Sequence, residues 1–467
     1  MIDNIQLYSY LEKLLGDRMR FFLESPPEFR SIRVNALKTS LGIFEKWSRQ
    51  HNLELLKIPF TPMGYKINND FIPLSHTLPF FKGYFQYQGI SSQIPVILLD
   101  VKPGLRILDM TAAPGSKSSQ LAVAMHNSGE LVLNDLSRKR LQALNVNMQR
   151  CGAVNFYILN LRGERLGRNF YEYFDKVLLD APCSALGTLS GNPEVAGWWS
   201  IDKMRKLAKI QYHLLVSALK TLKVNGELVY STCSVAPEEN ELLVDELLKR
   251  YPVHVVEAPS LLKQLFDPGL IKYNGKKLNK ELANAIRVWP HKHEMEGFFA
   301  IKLKKYASID KGFRRRRIQY ADSFDQNHPD VRDILNNLSD LWGIPKDVWQ
   351  NYRYIITKTK IWMVKPSIKR VLISSFVSAG LLLAEKRLFG WKLSHASTQA
   401  LSDLISKRKI ELSKSELSIL FNQGNINVDN LCGGYYVLVH EDQAIASIYV
   451  EDKKLRIRLP HSFNLKI

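Results

Sequence analysis

Apolar residues recur along this chain with two different periods, and the change of period divides it. Near the start, Leu7, Leu11, Leu14 and Leu15 fall at helical spacing, and short strand-like pieces such as Ser31-Ile32-Arg33-Val34 follow. This predicts a small α+β module over residues 1–95. From Arg106 the pattern becomes strand, turn and helix, repeated. Strands are expected at Arg106 to Asp109, Gly129 to Asp135, Lys176 to Asp180 and Gly226 to Thr232, with helices over Ser116 to His126 and Ser137 to Arg150. Such alternation builds a doubly wound α/β sheet, because parallel neighbours need a long crossover that a helix supplies. Later strands, from Glu257-Ala258 onward and over Gly297 to Leu303, are expected to close that sheet near Lys305, so the domain spans 96–305. Beyond it, a helical piece over Val331 to Trp342 and an aromatic strand over Thr359 to Val364 suggest a linker and small accessory domain, 306–370. Strand patterns at Gly434 to Val439, Ala444 to Tyr449 and Leu455 to Leu459 suggest a β-rich domain over 371–467.

Charge narrows the partners. The 467 residues carry 65 Lys and Arg against 45 Asp and Glu, a net charge of +20, which favours an anionic polymer or a membrane surface as partner, with nucleic acid the leading candidate. The tetrabasic run Arg314 to Arg317 reads equally as a solvated hinge or a segment touching RNA. The longest apolar window, Val371 to Ala384, holds three serines and a glycine and falls short of the ~20 residues that cross a bilayer. The first residues, Met1 to Gln6, carry an acid where a secretory signal needs base, so a cytoplasmic protein without membrane contact is expected. No obligate protein partner is evident.

Four cysteines, Cys151, Cys183, Cys233 and Cys432, are too scattered for a disulfide framework, and no Cys-x-x-Cys pair suggests zinc. His291, His293, Glu294 and Glu296 have i, i+2 spacing beside Trp289-Pro290, which suits a loop rather than a metal site, so no metal is expected. Cys183 and Cys233 differ from the others. Each ends a short apolar run, in Asp180-Ala181-Pro182-Cys183-Ser184 and Tyr230-Ser231-Thr232-Cys233-Ser234, so two sheet-edge thiols are expected to face one pocket. A thiolate adding to a pyrimidine ring carbon makes its neighbour nucleophilic enough to be alkylated. Between strand and helix, Asp109 to Ser118 is rich in small residues that let a nucleotide-like ligand approach the backbone, although it lacks the glycines of a phosphate loop. Asp135 follows Gly115 by twenty residues, where an acid accepts from ribose hydroxyls or caps the next helix.

These segments, with Pro237-Glu238-Glu239-Asn240-Glu241, resemble the Nop/Sun family of S-adenosyl-L-methionine-dependent RNA cytosine-5 methyltransferases. Ser31 to Lys38, Tyr87 to Ser92 and Glu296 to Phe299 extend the resemblance. Within the family the chain is most similar to the bacterial small-subunit ribosomal RNA methyltransferase F group, whose PUA-like end resembles Leu383-Ala384-Glu385 and Trp391 to His395. The resemblance implies a Rossmann-like class I methyltransferase sheet between an RNA-binding N-terminal module and a PUA-like RNA-binding domain. Ribosomal RNA or its subunit is then the leading substrate, and transfer RNA the second. It further implies that Thr111, Ala112, Ala113, Pro114, Gly115, Ser116 and Lys117 wrap the methionine part of S-adenosyl-L-methionine, that Asp135 holds its ribose, and that Asp180 lies beside the methyl group. Cys233 is implied as nucleophile and Cys183 as the partner that assists loss of the C5 proton. Chemistry alone does not rank the two thiols, since DNA cytosine methyltransferases attack through a Pro-Cys motif, here Cys183. One position departs from the family: Arg162 stands where an acid usually meets the adenine, and a guanidinium accepts no hydrogen bond. The aromatic run Phe80 to Tyr87 is a stacking surface or ordinary core, and Gly191 to Glu194 with Trp198-Trp199 suggests a lid over a flipped base.

Overall fold

The structure is a computed structural model that describes residues 4–68, 73–309, 319–429 and 431–458. Arg314 to Arg317 and Leu459 lie outside the described residues. The largest sheet has ten strands among those described. Its middle five run parallel in the order Phe156–Leu159, Glu130–Asn134, Arg106–Asp109, Phe174–Asp180 and Leu222–Thr232. Crossover helices such as Ser116–Ala124, Arg138–Cys151 and Ile201–Thr221 connect them. Leu108, Val132, Ile158, Leu178 and Val229 are fully buried, as expected for parallel strands covered on both faces. The doubly wound, Rossmann-like sheet read from the sequence is therefore present. Phe156–Leu159 is an addition, a buried run too short to display a period.

Phe298–Lys305 runs antiparallel to Leu222–Thr232, and Val253–Val256 pairs with it in turn. That strand precedes the expected start at Glu257, because Val253 and Val255 are buried on either side of exposed His254 while Glu257 is already past the last ladder pair. At the opposite edge, Phe376–Ala379 pairs antiparallel with Phe156–Leu159. A segment assigned from sequence to the C-terminal domain thus completes the central sheet.

The module expected over 1–95 divides in two. Ser31–Val34, Leu55–Lys57, Gly64–Ile67 and Phe85–Tyr87 form a four-stranded antiparallel sheet. The helix Ile5–Leu15 instead packs Leu7, Leu11 and Leu15 against Leu186, Leu189, Trp199 and Val235 of the central domain. Its cap explains the attachment: Asn4 accepts from Leu7 N at 3.0 Å and donates to Ala196 O and Trp199 O at 2.9 and 2.8 Å.

The expected boundary near residue 370 also runs through paired strands. Lys360–Val364 pairs with Leu381–Arg387 inside a four-stranded sheet, so no hinge separates them. A five-stranded sheet built on Gly434–His440 and Gln443–Glu451 follows, and the two sheets share a core through Leu335, Trp342, Met363, Leu383 and Val437. The C-terminal region is β-rich, as read from its alternation. Val371 to Ala384 is divided among short strands, and no helix among the described residues is long and apolar enough to cross a membrane.

Two buried charges give the central domain measurable properties. Arg287 and Glu241 are both fully buried; the guanidinium donates Nε and Nη2 to the two carboxylate oxygens at 2.8 Å and Nη1 to Val235 O at 3.0 Å. Arg287→Ala should lower stability by about 3–5 kcal/mol in urea denaturation, because it strands a buried carboxylate. Arg20→Ala, which breaks an exposed pair with Glu24, should leave the midpoint unchanged. Asp109, at the end of its strand, is pushed up to about 7, by burial first and by Asp180 next, while Ser118 and Lys117 oppose the shift. The folded carboxyl therefore holds its proton more tightly than the unfolded one, and its contribution to stability falls as pH rises from about 4 to about 7. Asp109→Asn should flatten that part of the stability profile, and an identical profile would remove Asp109 as its source.

Candidate active site

The two thiol loops leave adjacent parallel strands whose register pairs Asp180 with Ser231. Cys183 lies three residues beyond the first and Cys233 two beyond the second, so both sulfurs arrive at one sheet edge. Their Sγ atoms are 3.3 Å apart, both are partly exposed, and neither is in a disulfide. Gly187 N donates to Cys233 O at 2.9 Å and Gly297 N to Gly187 O at 2.8 Å. A Cβ on Gly187 would lie 2.1 Å from Gly297 O, so this close passage excludes any side chain.

Beneath the sulfurs sits a buried carboxylate that the sequence reading did not assign. Glu239 accepts from Ser184 N at 2.8 Å and from Gln211 Nε2 at 3.1 Å, and the hydroxyls of Ser184 and Ser234 both donate to its other oxygen. Each serine directly follows a site cysteine, so one carboxylate ties the loops together. The available signal was the repeated Cys-Ser pair with an acid-rich segment soon after the second. Burial raises Glu239 above the usual carboxyl range, against the hydrogen bonds it receives. Cys183 is pushed well above the usual thiol range by its hydrogen bond with Cys233, then by burial and by the charges of Cys233 and Glu239. Cys183 therefore retains its proton at neutral pH.

At the same sheet edge Asp180 forms an ion pair with Lys117. Lys117 Nζ lies 2.7 Å from Asp180 Oδ2 and donates to Ser92 Oγ at 2.8 Å. Ser231 Oγ donates to Asp180 Oδ1 at 2.7 Å, and Thr111 Oγ1 donates to Asp180 O at 2.8 Å. Lys117 is thus a mostly buried ion-pair partner rather than a surface lysine.

The turn from Thr111 to Ser116 leads from its strand into the helix Ser116–Ala124, with Gly115 at φ 109° as N-cap. Ala112 and Ala113 are buried beside Pro114. Asp135 is buried; Oδ2 accepts from Ala113 N at 3.2 Å and Oδ1 from Ser137 N at 2.9 Å. It braces the turn, while Ser137 caps the next helix. Asp109 Oδ1 is buried without a hydrogen-bond partner beside this turn. The small side chains and neighbouring acids fit a nucleoside with a cationic amino-acid tail. Arg162 is turned outward, its side chain 62% exposed beside Glu164 at 3.7 Å. Asn160 donates to Asp135 O and Leu136 O at 2.9 Å.

Other residues singled out from sequence do not gather at the thiols. Phe85 is buried, Phe80 lies 3.9 Å from the Arg150 guanidinium, and Phe81 meets Phe421 at 5.3 Å, so most of that aromatic run is packing. Trp199 is buried against Tyr10 at 5.1 Å, whereas Trp198 is exposed. Pro290–His293 forms a single helical turn instead of the expected loop, because the Trp289 carbonyl accepts from both Lys292 N and His293 N and closes it. Among the described residues no group of three or more His, Cys, Asp or Glu is placed to hold a metal.

Residues 96–304 match the family described as 16S rRNA methyltransferase RsmB/F. Over 422 residues the chain is 30% identical to ribosomal RNA small subunit methyltransferase F of Vibrio cholerae serotype O1, covering 88% of this chain and 86% of that protein. It is 32% identical over 400 residues to the protein of the same name from Citrobacter koseri, covering 84% and 80%. A methyltransferase homolog protein from Pyrococcus horikoshii superimposes with TM-score 0.59 at 32% identity, over 65% of this chain and 96% of that one. NSun6 from Pyrococcus horikoshii, solved with SFG, gives TM-score 0.56 at 25% identity, over 66% and 98%. The parallel sheet that brings Cys183 and Cys233 together lies inside the matched region, and at this identity and coverage the chain belongs to the RsmB/F family of 16S rRNA methyltransferases.

Proposed function

We propose that the protein methylates C5 of a cytosine in small-subunit ribosomal RNA, in the cytoplasm, through a covalent bond between Cys233 and C6 of the base. The observation that carries this reading is the 3.3 Å separation of two free thiols beside the Asp180–Lys117 pair. C5 of cytosine is too electron-poor to be alkylated directly, so a nucleophile first adds to C6. The hydrogen bond from the other sulfur and the Glu239 charge oppose ionisation of Cys183, which disfavours Cys183 as the attacking thiolate and supports Cys233 as that nucleophile. Asp180 remains able to accept from the base's N4 amino group, and Lys117 holds its carboxylate in place. S-adenosyl-L-methionine, held by Thr111 to Lys117 and Asp135, supplies the methyl group as an electrophile.

Cys183 then changes character. Its raised pKa depends first on Cys233, and once that sulfur is bound to C6 both its hydrogen bond and its charge are withdrawn. The thiol becomes more acidic, gives its proton to solvent, and as a thiolate can then take the C5 proton. Loss of that proton reforms the C5–C6 double bond and expels Cys233 as thiolate.

Cys183→Ala should accumulate a protein–RNA adduct visible on denaturing gels, and Cys233→Ala should form none and lose methyl transfer; the opposite pattern would exchange their roles. Bisulfite sequencing of ribosomal RNA from cells with and without the gene should reveal one lost 5-methylcytosine, and no difference would refute the assignment. Glu239→Gln removes a charge that helps keep Cys183 protonated. In a Cys233→Ser background, iodoacetamide should label Cys183 at lower pH in the Glu239→Gln variant, whereas an unchanged profile would leave Glu239 only a geometric role.

A further inference from the structure

A second charged site lies away from the thiols, where the N-terminal sheet, the central domain and the five-stranded C-terminal sheet meet. Asn35 organises one wall. Its side-chain amide donates to Gly83 O at 2.8 Å and Cys151 O at 2.9 Å, and its backbone N donates to Tyr84 O at 2.8 Å. Lys38 N donates back to Asn35 O at 3.0 Å, which sets Lys38 beside the Lys82-Gly83-Tyr84 turn. Both residues press on the end of the helix Arg138–Cys151. A Cβ on Gly83 would lie 2.0 Å from Arg150 O, and one on Gly152 would lie 2.6 Å from Lys38 Cε. The opposite wall is Gln399, Ser402, Asp403, Gln443 and Ala444, and the cleft between the walls holds about 200 Å³.

Lys82 Nζ lies 4.6 Å from the Tyr84 ring centroid and donates to Gln443 Oε1, to which Tyr84 OH also donates at 3.2 Å. Neither ammonium has an ion pair among the described residues. Burial pushes both lysines down to about 8; repulsion from Lys38 adds to the shift of Lys82, while Cys151 and Glu441 oppose the shifts of Lys38 and Lys82 respectively. Two partly desolvated cations sharing a cleft without a paired carboxylate are an unfavourable arrangement that a bound anion would relieve.

We propose that this cleft binds a phosphodiester of the RNA substrate, with Lys38 and Lys82 as its cationic contacts and Tyr84 and Gln443 as its flanking walls. The inference rests on RNA being the substrate. The helix Arg138–Cys151 has its N-terminus beside Asp135 and its C-terminus at the cleft, and its 14 residues span roughly 20 Å. The contact is therefore remote from the reacting base. It anchors a neighbouring stretch of RNA across three modules and takes no part in methyl transfer.

Full-length protein and in vitro transcribed small-subunit ribosomal RNA provide the test, with filter binding between about 50 and about 200 mM salt. Lys38→Gln with Lys82→Gln should weaken binding about tenfold and lower the slope of log affinity against log salt by ~0.7 for a lost single-stranded contact. Calorimetric S-adenosyl-L-methionine binding and turnover at saturating RNA should be unchanged. Lys38→Arg with Lys82→Arg should preserve the slope. Gln443→Ala, which removes the interdomain hydrogen bonds but no charge, should preserve it too. An unaltered slope in the double glutamine variant would overturn the inference, and so would an equal fall in Gln443→Ala. Inorganic phosphate supplies a separate arm: if it raises the melting temperature of the wild type but not of the double glutamine variant while their RNA slopes agree, the cleft serves a free phosphate and the RNA assignment falls. Absence of RNA methylation by the wild type would instead refute the proposed function.

Discussion

The parallel pairing of Phe174–Asp180 with Leu222–Thr232 is the constraint from which the candidate site follows. Parallel strands end at the same edge, so segments fifty residues apart leave the sheet together and carry Cys183 and Cys233 to one place. The pairing is rigid because both strands are buried in the middle of a wide sheet. Glu239 extends the constraint beyond the last ladder bond, adding side-chain ties to the backbone hydrogen bond from Gly187 N to Cys233 O. Its carboxylate gathers Ser184 and Ser234, and Gly187 and Gly297 provide the thin passage that lets the loops close on each other.

Electrostatics then distinguish groups that are chemically alike. The two cysteines have the same intrinsic acidity, yet Cys183 has the buried Glu239 charge and the other sulfur acting on it together, and both oppose its ionisation. Asp109 and Asp180 show a similar division. Asp109 is wholly buried and tends to hold its proton, while Asp180 shares Lys117 and Ser231 at the mouth of the site. One acid supports the turn from below and the other faces the space above it.

The accessory elements do not form a simple series of modules along the chain. The first helix supports the thiol loops, Phe376–Ala379 completes the central sheet, and Phe81 joins the N-terminal module to Phe421 of the C-terminal domain. Relative positions of the modules are consequently set by packing between them, with much less freedom than a linker would allow. The net charge of +20 is distributed over this assembly, and its sign alone does not locate a contact.

Period and turn chemistry in the sequence established the doubly wound sheet, the first helix and the C-terminal strands Lys360–Val364, Gly434–His440, Gln443–Glu451 and Lys454–Arg456, because these depend on residues near one another in the chain. Local motifs likewise singled out the turn from Thr111 to Ser116 and the two thiols that the structure brings together. Phe156–Leu159 was less legible because four apolar residues show no period, and Val253–Val256 was displaced because a strand's end is set by its partner. The domain limit near 370 was misplaced for the same reason: a composition shift does not reveal which sheet a strand joins. The sequence by itself determined which reactive side chains exist and which elements carry them. Only the tertiary structure decided that Glu239 binds both thiol loops, that Lys117 pairs with Asp180 and that Arg162 faces outward, since hydrogen bonds and desolvation act through space between residues that no local pattern relates.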